Sequence, residues 1–224
     1  MGRAWANTVV LFDTTFSTNK YGQKLGFFTT VSPDGETVIL AATFLQSESK
    51  ESFEWTFGKF RETFSGPVTI FTDGCAHQAR AIKREFPETR HMLCVFHLSK
   101  NLFTHCKSAF GRDTAAWEAF NDAWWKLAKN SDSRSRVTFD RNWRALVGML
   151  PTTSDGESAA VDWMAGLYEK REKWAAAWTW AHWSAGVHST QRCESIHKHF
   201  KTHLRSHNLL IDLGKEVWPP KTRP

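Results

Sequence analysis

Cysteine is scarce in these 224 residues: Cys75, Cys94, Cys106 and Cys193 are the full set, and no two form a Cys-x-x-Cys pair. That scatter gives no disulfide framework and no paired zinc ribbon, so reduced thiols in an intracellular compartment are expected. Nothing ahead of the first apolar run has the layout of a secretory signal. The opening MGRAWA places Ala6 where an N-myristoylation motif needs Ser or Thr. No apolar stretch approaches the ~20 residues that span a bilayer, and no segment recurs at a fixed period. There is also no Ser-His or Cys-His arrangement of the kind that activates a protein nucleophile. A membrane protein, a repeat array and an acyl-enzyme mechanism are therefore set aside, with no membrane among the expected partners.

What is present is the balance of a globular chain, 41% hydrophobic and 23% charged. The length suffices for one well-cored domain with a large insertion. Twelve Trp are unusual, and most fall between Trp117 and Trp180, which points to a Trp-rich helical core with indole N–H groups paired inside. A net charge of +6 and a pI of about 9.2 suit a polyanionic partner such as nucleic acid, while saying nothing of fold or reaction.

Residues 8–16 (TVVLFDTTF) are apolar on both faces, as in a strand buried on both sides, and the run breaks at Asp13. Strand-like stretches at 25–32 and 36–45 flank Ser32-Pro33-Asp34-Gly35, where Pro presets φ and Gly accepts a left-handed turn, so a hairpin is expected. Phe53, Phe57, Phe60 and Phe64 then recur at helical spacing, and Gly66-Pro67 ends that run. A short strand over 68–72 stops at Asp73-Gly74. A second helix follows, with Cys75, Ala79, Ile82 and Phe86 on one face, and 90–98 (RHMLCVFHL) reads as a fifth strand. From about 102 to 188 the periodicity is helical only: Trp117, Phe120, Trp124 and Leu127; then Phe139, Trp143 and Leu146; then Val161, Met164 and Tyr168. A closing helix over about 189–205 turns Cys193, Ile196, Phe200 and Leu204 inward.

Three acids stand out. Asp13 interrupts an apolar strand, where a charge costs several kcal/mol unless it is paired or metal-bound. Asp73 ends a strand of the same kind, and in open α/β sheets sites gather at the carboxyl ends of strands. Two carboxylates in one crevice repel unless cations lie between them, which Mg²⁺ or Mn²⁺ would satisfy. An Asp at a strand end is also a common helix cap, so Asp73 has a local explanation as well. Glu194 lies on the closing helix with His197, Lys198, Lys201 and Arg205 at i+3, i+4, i+7 and i+11. By spacing this is either a solvated Glu–Lys face worth about 0.3–0.5 kcal/mol or an acid backed by a phosphate-binding stripe.

Taken together, DTTFSTNKYG (13–22), LQSESKESFEWTF (45–57), TIFTDG (69–74), AIKREFPETRH (81–91) and LCVFHLSKN (93–101) resemble the Mutator-like element (MULE) transposase domain, in its far-red-impaired-response branch. LYEKREKWAAAW (167–178) and AGVHSTQRCESIHKHFK (185–201) resemble its closing segment. The resemblance implies a ribonuclease H-like α/β fold: a mixed sheet with flanking helices and an all-α insertion before the final catalytic helix. It divides the chain into a core at 1–101, a helical insertion at 102–188, a closing core helix at 189–210 and a tail at 211–224. It implies a DDE transposase with Asp13, Asp73 and Glu194 as catalytic residues holding two Mg²⁺ or Mn²⁺ ions about 3.5–4 Å apart, cutting and joining DNA at transposon ends. Cys94 and His97 of its Cys-x-x-His segment, with Arg192, His197, Lys198 and Lys201, are the candidates for DNA contact. His91 and Cys106 lie nearby in sequence, but no matching ligand pair follows and zinc is not expected here. The partners implied are transposon-end and target DNA, with a homo-oligomer pairing two ends, in the nucleus. A transposase-derived DNA-binding regulator that no longer cuts is the competing reading, because the flanking zinc modules of full-length relatives are absent from this stretch.

Overall fold

The structure, a computed structural model, describes residues 7–15, 19–129, 135–151, 159–182, 184, 187, 190, 192 and 195–198. Five strands form one sheet in the order β3-β2-β1-β4-β5: β1 (Val9–Thr15), β2 (Lys24–Val31), β3 (Thr37–Leu45), β4 (Thr69–Thr72) and β5 (Arg90–Leu93). β1 is antiparallel to β2, with Asp13 opposite Phe27, and parallel to β4, with Leu11 opposite Phe71. This is a mixed five-stranded sheet with flanking helices, as the resemblance implied. The β2–β3 hairpin turns where Pro33 and Gly35 demanded it: Gly35 (φ +82°) donates to the Ser32 carbonyl at 2.9 Å, and Ser32 donates to Glu36 O. β1 is apolar on both sides because both sides are covered, which requires alternate residues to serve two cores.

One core carries Val10, Phe12, Phe28 and Ile70 from the sheet. It is covered by α1 (Lys50–Thr63), whose Phe53, Phe57 and Phe60 face inward, and by α2 (Ala76–Glu85). Ser49 caps α1 by accepting from the Ser52 N–H at 3.2 Å. The Phe60 ring stacks on Phe28 at 4.1 Å between centroids, and Phe12 meets Phe28 at 4.5 Å and Phe57 at 5.1 Å. Ile82 and Phe86 of the expected α2 face are buried and Cys75 packs against the same core, but Ala79 is only half-buried, and Gln78 and Ala81 are buried beside them. A polar Gln inside hid the true stripe. The opposite sheet face bears Val9, Leu11, Phe71 and Met92, packed with Val187, and beside them Leu25 and Phe27, packed with Ile196.

The chain divides into two compact units, Met1–Met92 with Trp183–Pro224 and Leu93–His182. The second is all-helical: α3 (Val95–Cys106), α4 (Thr114–Lys129), α5 (Arg136–Val147), α6 (Ala159–Glu169) and the short α7 (Ala176–Thr179). The fifth strand expected over 90–98 is thus only Arg90–Leu93. Val95, Leu98, Leu102 and Cys106 follow a helical period, and all four lie in the helical core. A short apolar run does not by itself separate strand from helix, and here the helical continuation decided it. The Trp-rich core is as expected: Trp124 is fully buried and donates to Ser99 Oγ at 2.7 Å, and Trp174 donates to Leu167 O at 3.1 Å. On α6 the inward stripe is Ala160, Met164 and Leu167, while Val161 is exposed and Tyr168 reaches Asp140 at 2.8 Å on the rim.

Candidate functional site

β1 and β4 run side by side in parallel, and their paired residues end at Leu11 and Phe71. Two residues farther on, β1 reaches Asp13, and Asp73 is the first residue beyond β4. Side chains alternate along a strand, so Asp13 falls on the face of Leu11, away from α1 and α2, while Asp73 follows Phe71 by two residues at the exit of β4. Neighbouring strands with the same exit direction thus carry the two acids at one level. Asp13 is 5% exposed. Asp73 is half-buried, and its Oδ1 accepts the Cys75 N–H at 2.9 Å. That bond closes a turn ahead of α2, whose N-cap is Cys75 without a side-chain cap bond, so Asp73 supports the turn and does not cap the helix. Gly74 holds φ at +96°, a left-handed value that lets the chain leave the strand sharply at Asp73. Thr72, fully buried, is tied through Oγ1 to His91 Nε2 at 2.9 Å, which fixes the end of β4 against β5.

The closing segment crosses this same face. Residues 195–198 are helical, Ile196 packs with Leu25 and Phe27, and Thr190 is fully buried. His197 is 4% exposed; its Nε2 lies 3.6 Å from Asp13 Oδ2, and its ring packs against Phe27 at 5.1 Å. The expected outward stripe is therefore revised: His197 points into the sheet, because Ile196 and His197 share the turn that covers Phe27, whereas Lys198 is exposed. Arg192 donates to Gly35 O at 2.7 Å and to Thr37 Oγ1 at 3.3 Å, anchoring the segment to the β2–β3 turn. Glu194, Lys201 and the inward candidates Cys193, Phe200 and Leu204 lie outside the described residues.

Glu48 was not singled out by any motif. It accepts from Thr14 Oγ1 at 2.9 Å and pairs with Lys24, while its carbonyl accepts from His77 Nδ1 at 3.0 Å. It joins the ends of β1 and β2 to the turn of chain before α1 and the start of α2. Only its place in the 45–57 segment marked it beforehand. In the helical unit, Cys94 is buried at the N-cap of α3 and His97 is half-buried on its first turn. Cys106 lies in the helical core, where burial pushes its thiol up to about 11. Among the described residues, no three His, Cys, Asp or Glu side chains lie together as a metal-holding group. A pocket of about 420 Å³ sits at the other end of β4, lined by Arg61, Pro67, Val68, Glu85 and Phe86, and has no part in the acidic site.

Residues 9–101 match the MULE transposase domain. Over 208 residues, 92% of its length, the chain is 26% identical to Protein FAR1-RELATED SEQUENCE 5 of Arabidopsis thaliana, and covers 25% of that protein. Over 202 residues it is 25% identical to Protein FAR-RED IMPAIRED RESPONSE 1 of the same plant, matching 88% of this chain and 23% of the relative. The chain thus spans about a quarter of the length of these curated relatives. Among solved structures, the HTLV-2 integrase catalytic core domain in complex with magnesium aligns with 55% of this chain and 87% of that one, at 15% identity and a TM-score of 0.29. No helix among the described residues is long and apolar enough to cross a membrane.

Proposed function

With the match to the MULE transposase domain as premise, we propose that this chain is the catalytic domain of a DDE-type transposase, cutting and rejoining DNA at transposon ends through Asp13, Asp73 and Glu194. The observation that carries the reading is that Asp13 on β1 and Asp73 just beyond the parallel neighbour β4 each follow the last paired residues, Leu11 and Phe71, by two positions. His197 meets Asp13 there, and Glu194 precedes His197 by three residues in the sequence.

Three carboxylates are the donor type this chemistry needs. Carboxylate oxygens suit Mg²⁺ or Mn²⁺, the cations that phosphoryl chemistry on DNA uses. Bound cations would supply an activated water or 3′-hydroxyl and neutralise charge at the scissile phosphate. The chain's own task is placement. β1 pairs with β2 at Asp13, opposite Phe27, and holds it in place; the Gly74 turn sets the exit at Asp73; Phe27 and His197 pack together beside Asp13. Lys198 on the exposed side of the same turn is placed for phosphate, and the net charge of +6 supports DNA as the partner. Transposon-end and target DNA, assembly into a homo-oligomer that pairs two ends, and a nuclear location complete the proposal.

Replacing Asp13 by Asn should abolish metal-dependent cleavage of duplex DNA while leaving DNA binding in place. Cleavage retained by that variant would end the reading. One observation favours a second reading, a transposase-derived DNA-binding regulator: the matched relatives bear names of a far-red response rather than of transposition. Binding to DNA with no cleavage in Mg²⁺ or Mn²⁺ would select it.

A further inference from the structure

Resting on the reading of this chain as a DNA-processing domain, we infer that the outward face of α3 is a separate site for an unpaired DNA strand. A base stacks on Phe103, and the flanking phosphates lie on Lys100 and Lys107. α3 gives Val95, Leu98, Leu102 and Cys106 to the helical core, and a different side of it carries Phe96, Lys100 and Phe103 at i, i+4 and i+7. Lys107 holds a helical φ of −58° and ψ of −39°, so the same face runs on to i+11. Aromatic and basic residues therefore alternate along one line. Lys100 Nζ stands 4.4 Å from the Phe96 ring centroid, and Lys107 Nζ stands 5.5 Å from that of Trp117 on α4. Phe103 is 57% exposed, and Trp117 meets it at 5.6 Å with 80° between the planes. That contact steadies the Phe103 ring and leaves more than half of the residue to solvent.

Charge and chemistry select the occupant. Residues 89–112 contain no Asp or Glu, but hold Arg90, Lys100, Lys107 and Arg112. The next acid, Asp113, accepts the Ala116 N–H at 2.9 Å at the start of α4. An acidic peptide would use the lysines and leave the ring idle. A duplex keeps its base faces stacked inside and offers phosphates alone. An unpaired strand offers both, and base–aromatic stacking between phosphate-binding lysines tolerates any sequence. Lys100 and Lys107 bracket Phe103 and lie about 10 Å apart along the helix axis.

The test is fluorescence anisotropy of the full chain with labelled oligothymidylate of about 15 nucleotides, beside a duplex and an oligouridylate of the same length. Phe103→Ala is expected to weaken oligothymidylate binding roughly 10-fold, Phe103→Tyr to restore it, and duplex affinity to change less than about twofold. Lys100→Gln with Lys107→Gln should lower the salt slope of strand binding by about 1.4. Photocrosslinking of an iodouracil-bearing strand, mapped by mass spectrometry, should mark Phe103 and needs no variant. Unchanged strand affinity in Phe103→Ala, or cross-links confined to other elements, would overturn this inference and leave duplex binding and cleavage as they stand. Tighter binding of oligouridylate would assign the face to RNA and overturn it, as would a smaller sedimenting species for DNA-free Phe103→Ala, which would show a second copy of the chain seated there. A chain that binds neither strand nor duplex would overturn the DNA-processing reading as well.

Discussion

Gln78 sits on the buried side of α2 at 1% exposure, and among the described residues neither Oε1 nor Nε2 has a hydrogen-bond partner. Three and four residues on, Ala81 and Ile82 enter the phenylalanine core beneath α1, so the amide lies at the margin of an apolar interior. Leaving a buried polar group unsatisfied costs about 1–3 kcal/mol. The two ends of one amide are not independent, so about 2 kcal/mol is a fair total on that scale. Gln78→Met keeps the unbranched shape and nearly the volume, and a conservative core exchange costs less than about 1.5 kcal/mol. The net expectation is a gain of about 1–2 kcal/mol, or roughly 2–8 °C in Tm for a chain of this size. Scanning calorimetry reads it. Tryptophan fluorescence, dominated by the helical unit Leu93–His182, reports separately whether that unit is left unchanged. A lower Tm for Gln78→Met would show that the amide is satisfied in solution and would refute the argument.

Gly26 lies on β2 between Thr14 and Thr43, and a Cβ there would come within 3.0 Å of Thr43 Cγ2 and 3.1 Å of the Phe12 ring. Gly26→Ala should cost about 1–3 kcal/mol by overpacking, read as a lower denaturation midpoint. Burial raises the Cys106 thiol from its ordinary 9.0 to about 11, so its contribution to stability is complete below pH 9 and is lost as pH climbs through 11. Cys106→Val should flatten that part of the alkaline decline in Tm, and a thiol reagent at pH 8 should leave Cys106 unmodified until the helical unit unfolds.

The sheet was legible because its signals are local. The Pro33–Gly35 turn, the doubly apolar β1 and the phenylalanine stripe of α1 each admit one reading. β5 was less so, since RHMLCVFHL satisfies a strand and a helix start equally, and only packing of Leu98, Leu102 and Cys106 in the helical core chose between them. The acids were found because charge inside an apolar strand needs a reason. Neither their level on adjacent strands nor the inward turn of His197 could be read from spacing, because both depend on which strands pair and on which side of the sheet the closing segment lies. Gln78 was missed for the opposite reason: a polar residue at a helix position reads as exposed.

Strand cleavage of a labelled DNA duplex in Mn²⁺, comparing this chain with its Glu194→Gln form, tests the central claim most directly. The account predicts nicked product from the unsubstituted chain and none from the variant, with equal DNA binding by both. Equal cleavage by the two would contradict the assignment of Glu194, and binding without cleavage by either would contradict the enzyme and leave a DNA-binding protein.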